Sequence, residues 1–284
     1  MRTYLDCIPC FLRQTLDAAR MVSADQPLQQ EIVREVLGLM QTLDLSRPAP
    51  VMAQQIHRCM RRLSGNSDPY AAVRRRQNRM AAQLVNKLRS DLDKAEDKME
   101  YAVKLAIAGN IIDLGAKGNV TPASVDQSVV KAVKDPVAGD IKGFRRAVEE
   151  ADKILYLMDN AGEIVFDKLL LEQLPLTKIT AAVRGAPVIN DAVMSDAEEV
   201  GICDMVNVID NGSDAPGTVL EECSSAFTEY FNNADLIIAK GQGNYESLSD
   251  TDVNIIFLFQ VKCNLVAEQT GLPTGTHVML NTGV

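Results

Sequence analysis

Tryptophan is absent from the sequence, and aromatic residues account for only 5% of its 284 positions. Hydrophobic residues still make up 46%, so we expect an aliphatic core large enough for one large domain or two small ones. Long hydrophobic runs are lacking too. The longest, Ile255 to Phe259, is far shorter than a membrane span, and residues Met1 to Asp6 lack the apolar region of a signal peptide. We therefore predict a cytoplasmic protein without a membrane partner.

Positive charge is also scarce, with a formal net charge of -9 and a sequence pI near 4.9. Binding to nucleic acid requires a basic surface against the phosphate backbone, so the composition argues against such a partner. Small anions are bound by local groups and stay compatible with this charge. The six cysteines are expected to be thiols, metal ligands or redox groups and not disulfides. The sequence leaves open the roles of Cys7, Cys10 and Cys59 and the oligomeric state.

The sequence changes character near residue 149. In residues 1–148 apolar residues recur at helical spacing, as in Ile32, Val33 and Val36, which predicts an all-helical N-terminal region. In residues 149–284 short aliphatic runs alternate with helical segments and lack the polar alternation of solvent-facing strands. This pattern predicts an α/β domain with a mostly parallel sheet that is covered by helices on both faces. The predicted strands are residues 153–158, 179–183, 205–209, 236–239 and 255–259.

Polar and glycine-rich segments follow the predicted strands. In open α/β sheets, ligands bind outside the carboxyl ends of the strands, so we expect these segments to converge on one edge of the sheet. They are Asp159 to Glu163, Arg184 to Pro187, Asp210 to Asp214, Lys240 to Asn244 and, after the last strand, Lys262.

The residue types at this edge suit a divalent cation and a phosphate group. Asp159, Asn160 and Asp191 offer the hard oxygen ligands that Mg²⁺ or Mn²⁺ prefers. A metal ion and cationic side chains around a phosphoryl group stabilise the charge that develops during its transfer. The residues suited to the phosphate are cations or glycines that allow close backbone approach: Arg184, Lys240, Lys262, Gly241 and Gly243.

Purely structural explanations compete with this interpretation. Residues 159–162 could form only a turn and a helix cap, and residues 210–212 are a common turn sequence. The segment Gly241-Gln242-Gly243 is a weak nucleotide-binding fingerprint because the third glycine is missing. The presence of four such motifs at equivalent strand ends favours a functional edge.

In these motifs the sequence resembles the damage-control phosphatase family, metal-dependent phosphatases formerly known as domain of unknown function 89. The resemblance is to the prokaryotic branch, which carries an N-terminal Cys-x-x-Cys, and it covers nearly the whole chain. Its specificity lies in the order and spacing of the set, because the glycine-rich pieces are individually unspecific. The motifs are Cys7-Ile8-Pro9-Cys10, Asp68-Pro69-Tyr70, Ala108 to Asp113, Asp159 to Glu163, Arg184 to Asp191, Asp210 to Asp214 and Lys240 to Glu246.

The resemblance implies a helical N-terminal region packed on a Rossmann-like sheet, and hydrolysis of phosphate monoesters of small or damaged metabolites. The family's metal-binding Asp-Asn pair and later Asp fall on Asp159, Asn160 and Asp191. Its phosphate-binding segment and final lysine fall on Lys240 to Asn244 and on Lys262. In the eukaryotic branch that lysine lies in an Arg-Thr-x-Lys motif, whereas residues 259–262 here read Phe-Gln-Val-Lys. The substrates of that branch are therefore not carried over.

These inferences predict a catalytic set of Asp159, Asn160, Asp191 and Lys240, of which the first three bind the metal. Mn²⁺ is the preferred metal, with Co²⁺, Ni²⁺ or Mg²⁺ as alternatives. The partner is a small phosphorylated metabolite. The predicted substrate-binding residues are Glu163, Arg184, Asn190, Asp210, Gly241, Gln242, Gly243, Asn244, Lys262, Asn110 and Asp113.

Two questions of chemistry stay open at this point. Metal-assisted attack of water, oriented by Glu163 or Asn190, is favoured over covalent attack by Asp159. The reason is that the Asp-x-Asp motif of haloacid-dehalogenase phosphatases is absent, since position 161 is Ala. The alternative function is a nucleotide- or phosphometabolite-binding protein, or a transferase, without phosphatase activity.

Overall fold

The computed structural model describes residues 1–109, 129–130 and 132–283. Its N-terminal part is helical, as predicted. Side-chain carboxylates of Asp25 and Asp97 accept hydrogen bonds from the first turns of two of these helices, and Gly65 ends a third in the left-handed conformation. The helices are α1 (Cys7–Val22), α2 (Gln26–Met40), α3 (Ala49–Ser64), α4 (Ala71–Lys94) and α5 (Lys98–Ala108).

The rest of the described chain alternates strands and helices around one seven-stranded sheet. All five predicted strands are present, within two residues of the predicted ends. The strands are β1 (Val137–Ala138), β2 (Ile154–Leu157), β3 (Ile179–Val183), β4 (Asn207–Asp210), β5 (Leu236–Lys240), β6 (Ile255–Gln260) and β7 (His277–Asn281). The helices are α6 (Ile141–Glu150), α7 (Glu163–Leu171), α8 (Met194–Glu199), α9 (Ser225–Asn233), α10 (Gln242–Leu248) and α11 (Asn264–Thr270).

The strands lie in the order β1-β7-β6-β5-β2-β3-β4. Every neighbouring pair is parallel except β6 and β7, which are antiparallel. The predicted α/β class with a mostly parallel sheet is thus confirmed. Within the described residues, no helix is both long and apolar enough to cross a membrane.

Both faces of the central strands are buried, because successive side chains point to opposite sides. In β2, Ile154 and Tyr156 pack in one hydrophobic cluster with α4, α5 and α7, whereas Leu155 and Leu157 pack in another with α9 and α10. Helices α1 to α3 enclose a separate cluster of their own. The first cluster contains residues from both sides of the predicted boundary between residues 148 and 149, and that division stays a prediction.

Candidate active site

The direction of the chain through the sheet reverses between β2 and β5. Successive strands first run outward from β2 through β3 to β4, and the chain then returns to β5 on the other side of β2. Such a switch point opens a crevice at the carboxyl ends of the two neighbouring strands. Asp159 follows β2 here, and Lys240 is the last residue of β5.

Backbone hydrogen bonds bring the predicted metal ligands together. Asn160 and Asp191 form an isolated antiparallel bridge. The N–H of Ala192 donates to the carbonyl of Asp159 at 2.8 Å, so the turn before Asp191 is fixed against the end of β2. In that turn Ile189 has a φ of 46°, a conformation that β-branched residues rarely adopt. A strained turn is therefore held where it presents Asp191 beside Asp159 and Asn160.

Arg184 joins the two carboxylates. Its Nε donates to Asp191 Oδ2 at 2.7 Å, and its Nη2 lies 3.5 Å from Asp159 Oδ1. Its Nη1 donates to Oγ1 of Thr218 and to Oδ1 of Asn244, both at 3.4 Å. Because the guanidinium is buried and contacts both acids, it sets their orientation and offsets part of their charge.

The side-chain amide of Asn160 is fixed by hydrogen bonds to two carboxylates. Its Nδ2 donates to Asp159 Oδ2 at 2.7 Å and to Glu163 Oε2 at 3.2 Å. Glu163 begins α7, one residue after Gly162, whose φ is 78°. The structure thus brings five predicted residues into one buried group: Asp159, Asn160, Glu163, Arg184 and Asp191.

Carboxylates dominate the electrostatics of this group. Burial, with the nearby charges of Glu163 and Asp191, raises the pKa of Asp159 well above its usual value, and Arg184 and Lys262 oppose this shift. The acids would therefore share a bound cation favourably. Within residues 1–109, 129–130 and 132–283 no cluster of three or more His, Cys, Asp or Glu residues is arranged to hold a metal. The predicted set is instead two carboxylates and one amide, all hard oxygen donors that suit a divalent ion.

The glycine-rich segment after β5 lies against the acids. Gly241 has a φ of 81°, and a Cβ atom there would overlap the Asp159 carboxylate. A Cβ on Gly243 would lie 2.6 Å from the carbonyl of Pro216. Gln242 Oε1 accepts a hydrogen bond of 2.8 Å from the backbone N–H of Lys262. The segment from Gly241 to Asn244 and Lys262 therefore lie at the same edge as the acids.

Lys240 is enclosed and does not face the crevice. Its Nζ donates to the carbonyl of Ala106 at 2.8 Å, to Glu163 Oε1 at 2.8 Å and to Asp167 Oδ1 at 2.6 Å. Burial lowers the pKa of this ammonium, but the two carboxylates outweigh burial and raise it overall. The catalytic assignment of Lys240 stays a prediction, and its contacts indicate a different role.

Asp210 is placed differently from the acids of the crevice. The Asp210 carboxylate is exposed and accepts the backbone N–H of Gly212 at 2.9 Å, so it closes the turn after β4. A part for Asp210 in substrate binding stays a prediction. Asn110 and Asp113 lie outside the described residues.

Helix α4 reaches the site, which sequence reasoning missed. Asn78 Oδ1 accepts the N–H of Gly162 at 2.7 Å, and Gln77 Oε1 accepts Asn190 Nδ2 at 3.4 Å. Neither contact leaves a local signal in the sequence. Asp167 was also missed, although an acid in the middle of the largely apolar helix α7 was a readable sign of a buried partner.

Two surface cavities, of about 670 and 900 Å³, open at the opposite edge of the sheet. Asp140 and Asp235 line one of them, and both accept backbone hydrogen bonds, from Lys142 and from Lys153 respectively. These acids are already used to fix the chain. None of the predicted site residues that the structure describes lines either cavity.

An acidic, oxygen-rich group at the switch point of a mostly parallel α/β sheet is a suitable place for a ligand and a divalent cation to bind. Comparison with known proteins agrees. Residues 3–278 match the model of the damage-control phosphatase ARMT1-like domain. The chain belongs to this damage-control phosphatase family. The predicted family and the predicted phosphatase class are thereby confirmed.

Several known proteins are similar to this chain over nearly its whole length. The chain is 34% identical to a damage-control phosphatase of Archaeoglobus fulgidus, over 96% of each chain. It is 35% identical to the uncharacterised protein MJ0202 of Methanocaldococcus jannaschii, over 97% of this chain and 94% of that one. The crystal structure of a DUF89 family protein, PH1575 of Pyrococcus horikoshii, superposes with a TM-score of 0.91 at 30% identity and covers 99% of both chains. Full-length similarity shows that the whole fold is shared.

Proposed function

We propose that this protein hydrolyses phosphate monoesters of small or damaged metabolites, with a divalent cation held by Asp159, Asn160 and Asp191. Mn²⁺ is the preferred ion, and Co²⁺, Ni²⁺ or Mg²⁺ are alternatives. The observation that carries the proposal is the backbone bridge between Asn160 and Asp191, which gathers two carboxylates and an amide at the switch point. We further propose that the protein acts in the cytoplasm.

We assign a separate role in the reaction to each of several residues. A bound cation supplies Lewis-acid polarisation of the phosphoryl oxygens. Arg184 keeps the carboxylates of Asp159 and Asp191 in place, as its hydrogen bonds to both indicate. Lys262, whose charge acts on Asp159, offsets the negative charge of the phosphate. Asn190, which Gln77 holds, orients the attacking water or the substrate.

Substrate contact is assigned to the edge formed after β5. The segment from Gly241 to Asn244 runs so close to Asp159 that position 241 has no space for a Cβ atom, so its backbone can approach a group that is bound beside the acids. Asn244 is fixed by Thr218, whose Oγ1 donates to Asn244 Oδ1 at 2.8 Å. A phosphate held here would lie close to both the acids and Lys262.

A direct assay tests the proposal. Purified protein should turn over p-nitrophenyl phosphate when Mn²⁺, Co²⁺, Ni²⁺ or Mg²⁺ is added, and lose the activity when a chelator is added. Asp159→Ala should abolish the metal-stimulated rate. Asp152→Ala is the matched control, because the exposed Asp152 has no predicted role in the site and its carboxylate pairs with Lys178 at 3.5 Å. Full activity of Asp159→Ala, or metal-independent turnover, would contradict the proposal. Metal binding without turnover of any phosphorylated metabolite in a panel would favour a binding protein.

A further inference from the structure

The ammonium group of Lys240 is saturated with hydrogen bonds. Its Nζ donates to three acceptors, the Ala106 carbonyl and the carboxylates of Glu163 and Asp167, at 2.6 to 2.8 Å. A lysine ammonium has three protons, so each is already used inside the protein. The side chain is fully buried. Lys240 therefore has no donor to offer to a substrate phosphate without breaking an internal ion pair.

Glu163 connects this ammonium to the proposed metal ligands. One of its oxygens, Oε1, accepts from Lys240 at 2.8 Å, and the other, Oε2, accepts from Asn160 Nδ2 at 3.2 Å. Asn160 Nδ2 also donates to Asp159 at 2.7 Å. Because the oxygen of an amide lies opposite its nitrogen, fixing Nδ2 from two sides also fixes the direction of Oδ1. The orientation of Asn160 thus depends on Glu163.

Asp167 and Tyr156 extend this hydrogen-bond network into the buried interior of the protein. Asp167 Oδ1 accepts from Lys240 and also from the hydroxyl of Tyr156 at 2.9 Å. Asp167, Tyr156 and Lys240 are all fully buried. Buried ion pairs are often no more stabilising than apolar residues of similar volume. A network of this kind at this position is therefore better explained by orientation of the site than by stability.

We propose that Lys240, Asp167 and Tyr156 are positioning residues, which hold Glu163 so that Glu163 turns the Asn160 amide oxygen toward the cation. The inference rests on the proposed function, because it takes Asn160 as a metal ligand. Partners that orient metal ligands in this way typically change metal affinity by 10- to 100-fold when they are removed.

Measurements of metal affinity separate this role from substrate binding. We would titrate Mn²⁺ into substrate-free wild type and into Lys240→Gln, and follow the free ion by electron paramagnetic resonance. The dissociation constant for Mn²⁺ should rise at least ~10-fold in the variant. At saturating Mn²⁺ the KM for p-nitrophenyl phosphate should change by less than about threefold, because no phosphate contact is lost.

Further variants guard against a folding defect. Asp167→Asn is nearly isosteric, and Lys240→Gln with Asp167→Asn removes one buried cation together with one buried anion. Both should weaken Mn²⁺ binding while the far-ultraviolet circular dichroism stays that of wild type. Glu172→Gln is the matched control, since Glu172 follows the same helix but pairs with the half-exposed Arg89. Its affinity for Mn²⁺ should equal that of wild type.

The possible outcomes are distinguishable. An unchanged affinity for Mn²⁺ in the folded variants, with a raised KM, would overturn the positioning role and assign Lys240 to the substrate. Wild-type protein that binds no Mn²⁺, Co²⁺, Ni²⁺ or Mg²⁺ would overturn the proposed function and this inference together. Weaker Mn²⁺ binding in Asp167→Asn, whose side chain is separated from Asn160 by Lys240 and Glu163, would support the inference most directly.

Discussion

Gly241 lies directly against Asp159, so closely that a Cβ atom at position 241 would overlap the carboxylate. The backbone of Gly241 also has a φ of 81°, which disfavours any residue with a side chain. Gly241→Ala must therefore displace Asp159 or the chain after β5. We expect the metal-stimulated phosphatase rate to fall by at least ~100-fold, since misplacement by about 1 Å is enough for such a loss.

Gly271→Ala is the matched control for this variant. Gly271 ends α11 with a φ of 69°, but no atom lies within 4 Å of its would-be Cβ. The substitution should cost about 1 kcal/mol of unfolding free energy from backbone strain and leave the rate unchanged. Equal activities of the two variants would show that the contact between Gly241 and Asp159 does not matter for catalysis.

Arg184 stabilises the fold as well as the site. Arg184→Met would leave the buried carboxylates of Asp159 and Asp191 without their shared cation. We expect a loss of about 3–5 kcal/mol in the free energy of unfolding, measured by urea denaturation at pH 7.5. Arg89→Met removes a half-exposed pair with Glu172 and should cost at most ~1 kcal/mol. Similar losses in both variants would contradict a central place for Arg184.

The edge of the sheet that carries the site was predictable, because aliphatic runs followed by acids and glycines indicate strand ends in a parallel sheet. The backbone contact that brings the predicted metal ligands together was not predictable. The bridge between Asn160 and Asp191 depends on a turn in which Ile189 has a positive φ. No sequence rule favours such a turn at an isoleucine. Strand β1, two residues long, was likewise too short to leave a pattern.

The alternation of side-chain direction along β5 predicts only part of the surroundings of Lys240. Leu236 and Ile238 pack in the cluster under α5 and α7, whereas Ile237 and Ala239 pack on the opposite face. Lys240 has the parity of Leu236, so period-two alternation places it on the face under α5 and α7. The parity of Lys240 can be read from the sequence, but the helices that cover that face are known only from the structure. The partners that satisfy the ammonium, such as the carbonyl of Ala106, come from distant parts of the chain and were not predictable.

We expect the buried His57 to lower the free energy of unfolding as the pH falls below neutral. Its side chain is buried, with Nδ1 2.7 Å from the hydroxyl of Tyr70. Burial, aided by the charge of Arg61 and opposed by that of Asp214, lowers its pKa to about 3. An unfolded histidine titrates near 6.5. Between these two values the unfolded chain binds a proton that the folded chain does not, so the stability from neutral His57 is complete above pH 6.5 and is lost as the pH falls toward 3.

The measurement compares wild type with His57→Gln by urea denaturation at pH 7.5 and pH 5.0. On acidification wild type should lose about 2 kcal/mol more unfolding free energy than the variant, since each pH unit below the unfolded pKa contributes about 1.4 kcal/mol. Parallel losses in the two proteins would mean that His57 is protonated in the folded state.

Asp214 connects helix α3 to the segment that follows β4. Its carboxylate accepts hydrogen bonds from Gln54 at 2.8 Å and from Arg58 at 2.7 Å, and it pairs with Arg61. Arg61 Nη1 also donates to the carbonyl of Pro187 at 2.6 Å, in the turn that leads to Asp191. Because α1 to α3 have a hydrophobic cluster of their own, we expect polar contacts of this kind to contribute to their docking on the rest of the chain.

Asp214→Ala should therefore loosen these helices without unfolding them. Hydrogen exchange measured by mass spectrometry should speed up at least ~10-fold in α1 to α3 and much less in the central strands, as expected for local opening. Glu221→Ala is the control. The ion pair between Glu221 and Arg47, with an N–O distance of 3.2 Å, is exposed to solvent, and such pairs contribute at most ~1 kcal/mol. Equal hydrogen-exchange rates of α1 to α3 in the two variants would show that apolar contacts, and not Asp214, hold the helices in place.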